Sequence, residues 1–127
     1  MLETLANAPR DYSWGSPTAI PELQGRTPTG TPEAEVWFGD HPGSPAILGD
    51  GRTLADARTH AGEPPLPFLL KILAASSSLS IQAHPDLAQA KAGYAAEEAA
   101  GVPRDAAERV YRDDNHKPEI IVALSER

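Results

Sequence analysis

The spacing of apolar and polar positions changes several times along this chain, and each change marks an element. From Ala8 to Pro32 no period is sustained. Pro, Gly, Thr and Ser crowd around the aromatic stretch Tyr12-Ser13-Trp14-Gly15, a composition that predicts turns and short strands lying over a core. Glu33 to Gly39 has the β-branched and aromatic content of a strand, and His41-Pro42-Gly43 ends it. Thr53 stands in an N-cap position before Leu54-Ala55-Asp56-Ala57, which predicts one helical turn as far as Arg58. Phe68 to Ala74 is an apolar run of strand length interrupted only by Lys71. After the Ser76-Ser77-Ser78 turn, Leu79 to His84 alternates at the strand period, so Ser80, Gln82 and His84 are expected on one face and Leu79, Ile81 and Ala83 on the other. The Ala-rich segment Asp86 to Ala100 predicts a helix, with Pro85 in its first turn, Gly101 at its end and Gly93 weakening its middle. A second short helix is expected over Asp105 to Tyr111, a turn at Asp113-Asp114-Asn115, and a closing strand over Glu119 to Leu124.

Composition fits this mixture. At 127 residues the chain is about one domain long and can bury a single core. With 13 Pro and 10 Gly the expected fold is loop-rich, mainly β with added helices (α+β), rather than a helical bundle. A net charge of −7 and the lack of a concentrated basic surface argue against nucleic-acid and anionic-membrane partners. A phosphorylated small molecule remains compatible, because it needs only one or two local cations. The absence of Cys excludes disulfides, thiolate metal sites and thiol nucleophiles, so any metal must take N and O ligands. No apolar run is long enough for a membrane span and the first ten residues do not resemble a leader, so the chain is read as soluble and cytoplasmic.

Two short stretches carry candidate chemistry. Gln82 and His84, on one strand face, offer an amide oxygen and an imidazole nitrogen that zinc and other divalent ions accept, although such a pair is more often merely solvated. In Asn115-His116-Lys117-Pro118-Glu119, Pro118 pushes Lys117 towards an extended conformation, so Lys117 and Glu119 should point the same way. Glu119 beside Gln82 and His84 would form a three-donor Lewis-acid site with open positions; the bland reading is a Lys and a Glu flanking a strand start. Lys71, among apolar neighbours, must either reach solvent along its stem or find an anionic partner. Trp14 and Trp37 read as core or pocket-wall residues, and His41 and His60 as turn or surface residues.

Five stretches, taken together, resemble the type I mannose-6-phosphate isomerases. They are Tyr12 to Ser16, Ala34 to Pro42, Pro67 to Leu73, Leu79 to Pro85 and Tyr111 to Glu119, in the family's order and at about its spacing. The resemblance implies a partial cupin, or jelly-roll, β-sandwich with added helices. It further implies one zinc ion per active site, held by Gln82, His84 and Glu119, and interconversion of mannose 6-phosphate and fructose 6-phosphate, a step that feeds activated-sugar and glycan synthesis. By the same resemblance His116, Lys117 and Lys71 are candidate catalytic groups, and Ser80, Lys71 and Trp14 candidate substrate-binding ones.

In the family this chain resembles, the fourth metal ligand, a histidine, and a substrate arginine fall well beyond Arg127, and nothing after Leu124 can replace them. Residues 1–127 are therefore expected to form the amino-terminal part of the catalytic domain, with a carboxy-terminal portion of the same enzyme as partner. The competing readings are a non-catalytic metal- or sugar-phosphate-binding cupin fragment and a plain structural module in which Gln82, His84 and Glu119 never meet.

Overall fold

A computed structural model describes residues 2–125 of the chain and shows a small α+β protein with few, short elements. Its residues group into two compact units, one ending at Ser80 and the other beginning at Ile81.

The first unit holds β1 (Leu5–Ala6), α1 (Ala19–Leu23), β2 (Glu35–Phe38), β3 (Ile47–Leu48), α2 (Leu54–His60) and β4 (Leu70–Leu73). β2 and β4 pair antiparallel, with Val36 opposite Ile72 and Trp37 opposite Lys71. β1 pairs antiparallel with β3. The two-residue period of β2 sends Val36 inward, where it is fully buried with Ile20 and Ala34, and turns Glu35 and Trp37 to the opposite face. The segment from Arg10 to Ser16 runs along β2 through isolated bridges Arg10 to Glu35 and Ser16 to Glu33, so the expected strands over the core shrink to single pairings. Gly15 allows this approach, since a Cβ there would come within 2.6 Å of the Ala34 backbone nitrogen.

Within the segment expected to be turns and strands, α1 is a helix. Ser16 Oγ accepts from the Ala19 amide at 3.1 Å, and Pro21 is tolerated in the first turn, where its missing N–H costs nothing. Ile20 and Pro21 are buried, so tertiary burial sustains five residues that local pattern did not mark. α2 forms where Thr53 predicts it and runs to His60, with the Thr53 side chain accepting from the Asp56 amide at 3.0 Å.

The second unit is built on α3 (Leu87–Ala99). Its N-cap is Asp86, with a complete capping box to Gln89, so Pro85 lies just before the helix rather than in its first turn. Gly101, at φ +71°, ends it in the left-handed conformation.

Three expected elements do not form. Leu79 to His84 and Glu119 to Leu124 are extended or irregular, without strand pairing, and Asp105 to Tyr111 is a series of turns. A strand needs a ladder partner, and none of the described residues supplies one to either segment. Ile81 is fully exposed, and Ile120, Ile121, Val122 and Leu124 are exposed with it. Ser80, Gln82 and His84 therefore do not share a strand face, and the alternation that suggested one has no sheet to act on. No helix among the described residues is long and apolar enough to cross a membrane.

Candidate metal and substrate site

The second unit positions its chemistry by tying a loop to α3. Arg109 has a fully buried side chain, and each of its nitrogens is used. Nη1 donates to the Val102 carbonyl at 2.5 Å, Nε to the Tyr111 carbonyl at 2.7 Å and Nη2 to Glu98 Oε1 at 2.9 Å, while the guanidinium lies 5.2 Å from the Tyr94 ring centre. Glu97 accepts from the amides of Val110 and Tyr111 at 3.0 and 2.8 Å. These bonds replace the helix expected at 105–111, because Glu97 takes the Val110 and Tyr111 amides that such a helix would pair with its own carbonyls.

They also shift the two carboxyls. Glu98 is lowered to about 2 by its hydrogen bonds from Arg104 and Arg109. Glu97 is lowered first by the Val110 amide, with the Tyr111 amide and the charge of Arg109 adding to it.

The chain leaves this anchored loop through a turn in which Asp113 Oδ1 accepts from the Asn115 amide at 2.9 Å, and it enters the His116 to Glu119 stretch. His84, two residues before the N-cap of α3, meets that stretch: its Nδ1 lies 4.0 Å from Glu119 Oε2. The other carboxylate oxygen lies 3.3 Å from Lys117 Nζ, so Lys117 and Glu119 do point to the same side. His84, Leu87, His116 and Lys117 are among the residues lining an open cleft of about 340 Å³.

Zinc–nitrogen and zinc–oxygen bonds of about 2.0–2.2 Å set the reach of one ion between two donors at roughly 4 Å. His84 and Glu119 stand at the far end of that reach, and a tetrahedral site needs them a few tenths of an ångström closer. Gln82 is exposed, and its amide makes no hydrogen bond among the described residues, so it is unconstrained two residues before His84. No group of three His, Cys, Asp or Glu side chains that could hold a metal occurs among the described residues. The structure brings together one imidazole and one carboxylate, His84 and Glu119, donors that a divalent ion accepts, and no contact among the described residues joins Gln82 to them.

Three further candidates lie in the first unit. Lys71 finds the anionic partner that its sequence context left open: Nζ is 3.8 Å from Glu35 Oε2 and 4.6 Å from the centre of the Trp37 ring. Trp14 is half-buried and stacks on Tyr12 with ring centres 5.7 Å apart. Ser80 is exposed at the unit's end, without a hydrogen bond among the described residues.

Sequence reasoning missed Arg109 and Glu35. Glu35 had a usable signal, since it lies two residues before Trp37 and so on the same strand face; Arg109 had none beyond the acidic Glu97-Glu98 pair.

Residues 2–127 match the family model "Phosphomannose isomerase type I, catalytic domain". Mannose-6-phosphate isomerase of Escherichia coli K12 is 44% identical over 140 residues, covering 98% of this chain and 36% of the relative. The enzyme of Schizosaccharomyces pombe is 40% identical over 106 residues, covering 76% of this chain. The crystal structure of the Salmonella typhimurium enzyme bound to fructose 6-phosphate and zinc superposes with a TM-score of 0.78 at 42% identity, covering 91% of this chain and 33% of that one. The chain thus spans between about a quarter and about a third of the length of these relatives, and it belongs to the type I phosphomannose isomerase catalytic-domain family.

Proposed function

We propose that this chain is part of a zinc-dependent isomerase interconverting mannose 6-phosphate and fructose 6-phosphate. The observation that carries the reading is the meeting of His84 and Glu119 at 4.0 Å beside Lys117, from two stretches 35 positions apart. Identity of 44% to an enzyme of that name supports it, as does the likeness to a relative bound to zinc and fructose 6-phosphate.

Gln82, His84 and Glu119 are the residues that would hold the ion. When bound, it supplies positive charge to the oxyanion that develops on the sugar. The remaining work falls to protein groups. Aldose–ketose exchange takes a proton from one carbon, passes through a cis-enediol and returns a proton to the neighbouring carbon. His116 and Lys117 line the cleft, which supports giving them that proton. For Lys71, Ser80 and Trp14, all in the first unit, only the likeness to the family supports a part in substrate binding.

On this reading residues 1–127 are the amino-terminal part of a cupin, or jelly-roll, catalytic domain of a cytoplasmic enzyme. A further portion of the enzyme pairs with the segments around Ile81 and Ile120 to Leu124, and their exposed aliphatic side chains support this. The test is mannose 6-phosphate isomerisation with zinc, measured for the chain alone and with the remainder of the enzyme supplied. Turnover on completion, lost in Glu119→Ala, is expected. No turnover in the completed enzyme overturns the assignment.

A further inference from the structure

We propose that Glu35 is the positioning residue for Lys71, a role that bears on catalysis only through the functional reading above. Strand register sets the arrangement. Trp37 lies directly opposite Lys71, and Glu35, two residues earlier on β2, shares their face of the sheet. Glu35 is buried, with 11% of its side chain exposed, and a carboxylate so placed must be paired.

It has two partners among the described residues: the Trp37 indole Nε1, which donates to Oε2 at 2.7 Å, and Lys71 Nζ at 3.8 Å from the same oxygen. The indole in turn has two cations near its ring. Lys71 Nζ lies 4.6 Å from its ring centre and the Arg10 guanidinium 5.4 Å, while Arg10 is fixed by its Nη1 bond to the Gly43 carbonyl at 3.3 Å. Trp37 thus offers its negative face to the ammonium, and Glu35 fixes both the indole and the ammonium through one oxygen. A lysine has a long, flexible stem. Without the carboxylate, the ring alone leaves that stem several rotamers.

The test reads position rather than rate. In the chain labelled on lysine, the ε-methylene protons of Lys71 should be shifted upfield of the other lysines by the Trp37 ring current. Glu35→Gln keeps an acceptor for the indole N–H and removes the charge; the Lys71 resonances should then move to the position of free lysines while the backbone spectrum is unchanged. A Lys71 signal that stays upfield in folded E35Q overturns the proposal. Should E35Q not fold, the unsubstituted chain still decides, because unshifted Lys71 protons there overturn it equally.

A second arm uses the completed enzyme. Losses of kcat/KM from E35Q and Lys71→Ala should coincide in the double variant rather than add. Additive losses overturn the positioning role. The resonances need no turnover, so failure of the isomerase reading and failure of this one are separable.

Discussion

Gly93 lies against the ring of Tyr111 so closely that a Cβ at Gly93 would come within 2.4 Å of it. The glycine that weakens the middle of α3 on propensity grounds is the position where the site-bearing loop seats its aromatic side chain. Gly93→Ala gains about 1 kcal/mol of helix propensity. Against that, overpacking costs about 1–3 kcal/mol as the ring is pushed out. We expect a net loss of about 1 kcal/mol in denaturant unfolding, with faster exchange of the Val110 and Tyr111 amides. A variant that is more stable and equally protected would show that the ring yields freely.

Arg109 makes the same joint from the other side. Arg109→Lys keeps the charge but cannot reach the Val102 and Tyr111 carbonyls and Glu98 together. Each charge-assisted bond lost costs about 2 kcal/mol, so this variant should lower the unfolding midpoint more than Gly93→Ala does. Equal midpoints for Arg109→Lys and the unsubstituted chain would contradict the role given to the guanidinium.

The loop should also loosen in acid. Glu97 and Glu98 have folded values below the ordinary carboxylate one, so their contribution is complete above about pH 4.3. It is lost as pH falls from there through the lowered value, about 2 for Glu98. Near-UV circular dichroism of Tyr111 and Tyr94 should fall over that window. In Glu97→Gln/Glu98→Gln the signal should start lower and no longer change there; an unaltered acid transition in that variant would remove the two carboxyls as its cause.

Metal affinity provides a sharper check on the cleft. His84→Ala and Glu119→Gln should each weaken cobalt(II) or zinc binding by at least the roughly ten- to hundredfold expected even of outer-shell partners. Lys117→Met should strengthen it, because the ammonium at 3.3 Å competes for Glu119. Indifference of the ion to all three variants would place the metal elsewhere.

Asp86→Ala removes the N-cap of α3 and half of its capping box. The expected cost is about 1 kcal/mol, read as a lowered midpoint, while Gln89→Ala should lose less because the Asp86 cap survives it. The reverse order would mean that the helix is not begun by Asp86.

What the sequence disclosed divides by the range of the interactions involved. Thr53, Asp86 and Gly101 act on their own neighbours, and the helices they bound are where local pattern places them. β2 and β4 were visible because each carries a continuous apolar or aromatic run, and each finds the other. The segments from Leu79 to His84 and from Glu119 to Leu124 carry the same kind of signal without forming strands, since pairing belongs to two segments and not to one. The site followed the same division. Pro118 sets Lys117 and Glu119 to one side by local stereochemistry, and that expectation holds. The approach of His84 to Glu119 follows a loop tied down by Arg109, whose burial no spacing announces.

Ile120, Ile121, Val122 and Leu124 leave a bare aliphatic ribbon on a molecule of net charge −7. Colloidal behaviour then rests on like-charge repulsion holding sticky ribbons apart, and dissolved electrolyte weakens repulsion without weakening stickiness. Added salt should drive the isolated chain into self-association, whereas a protein with that ribbon covered would tolerate it.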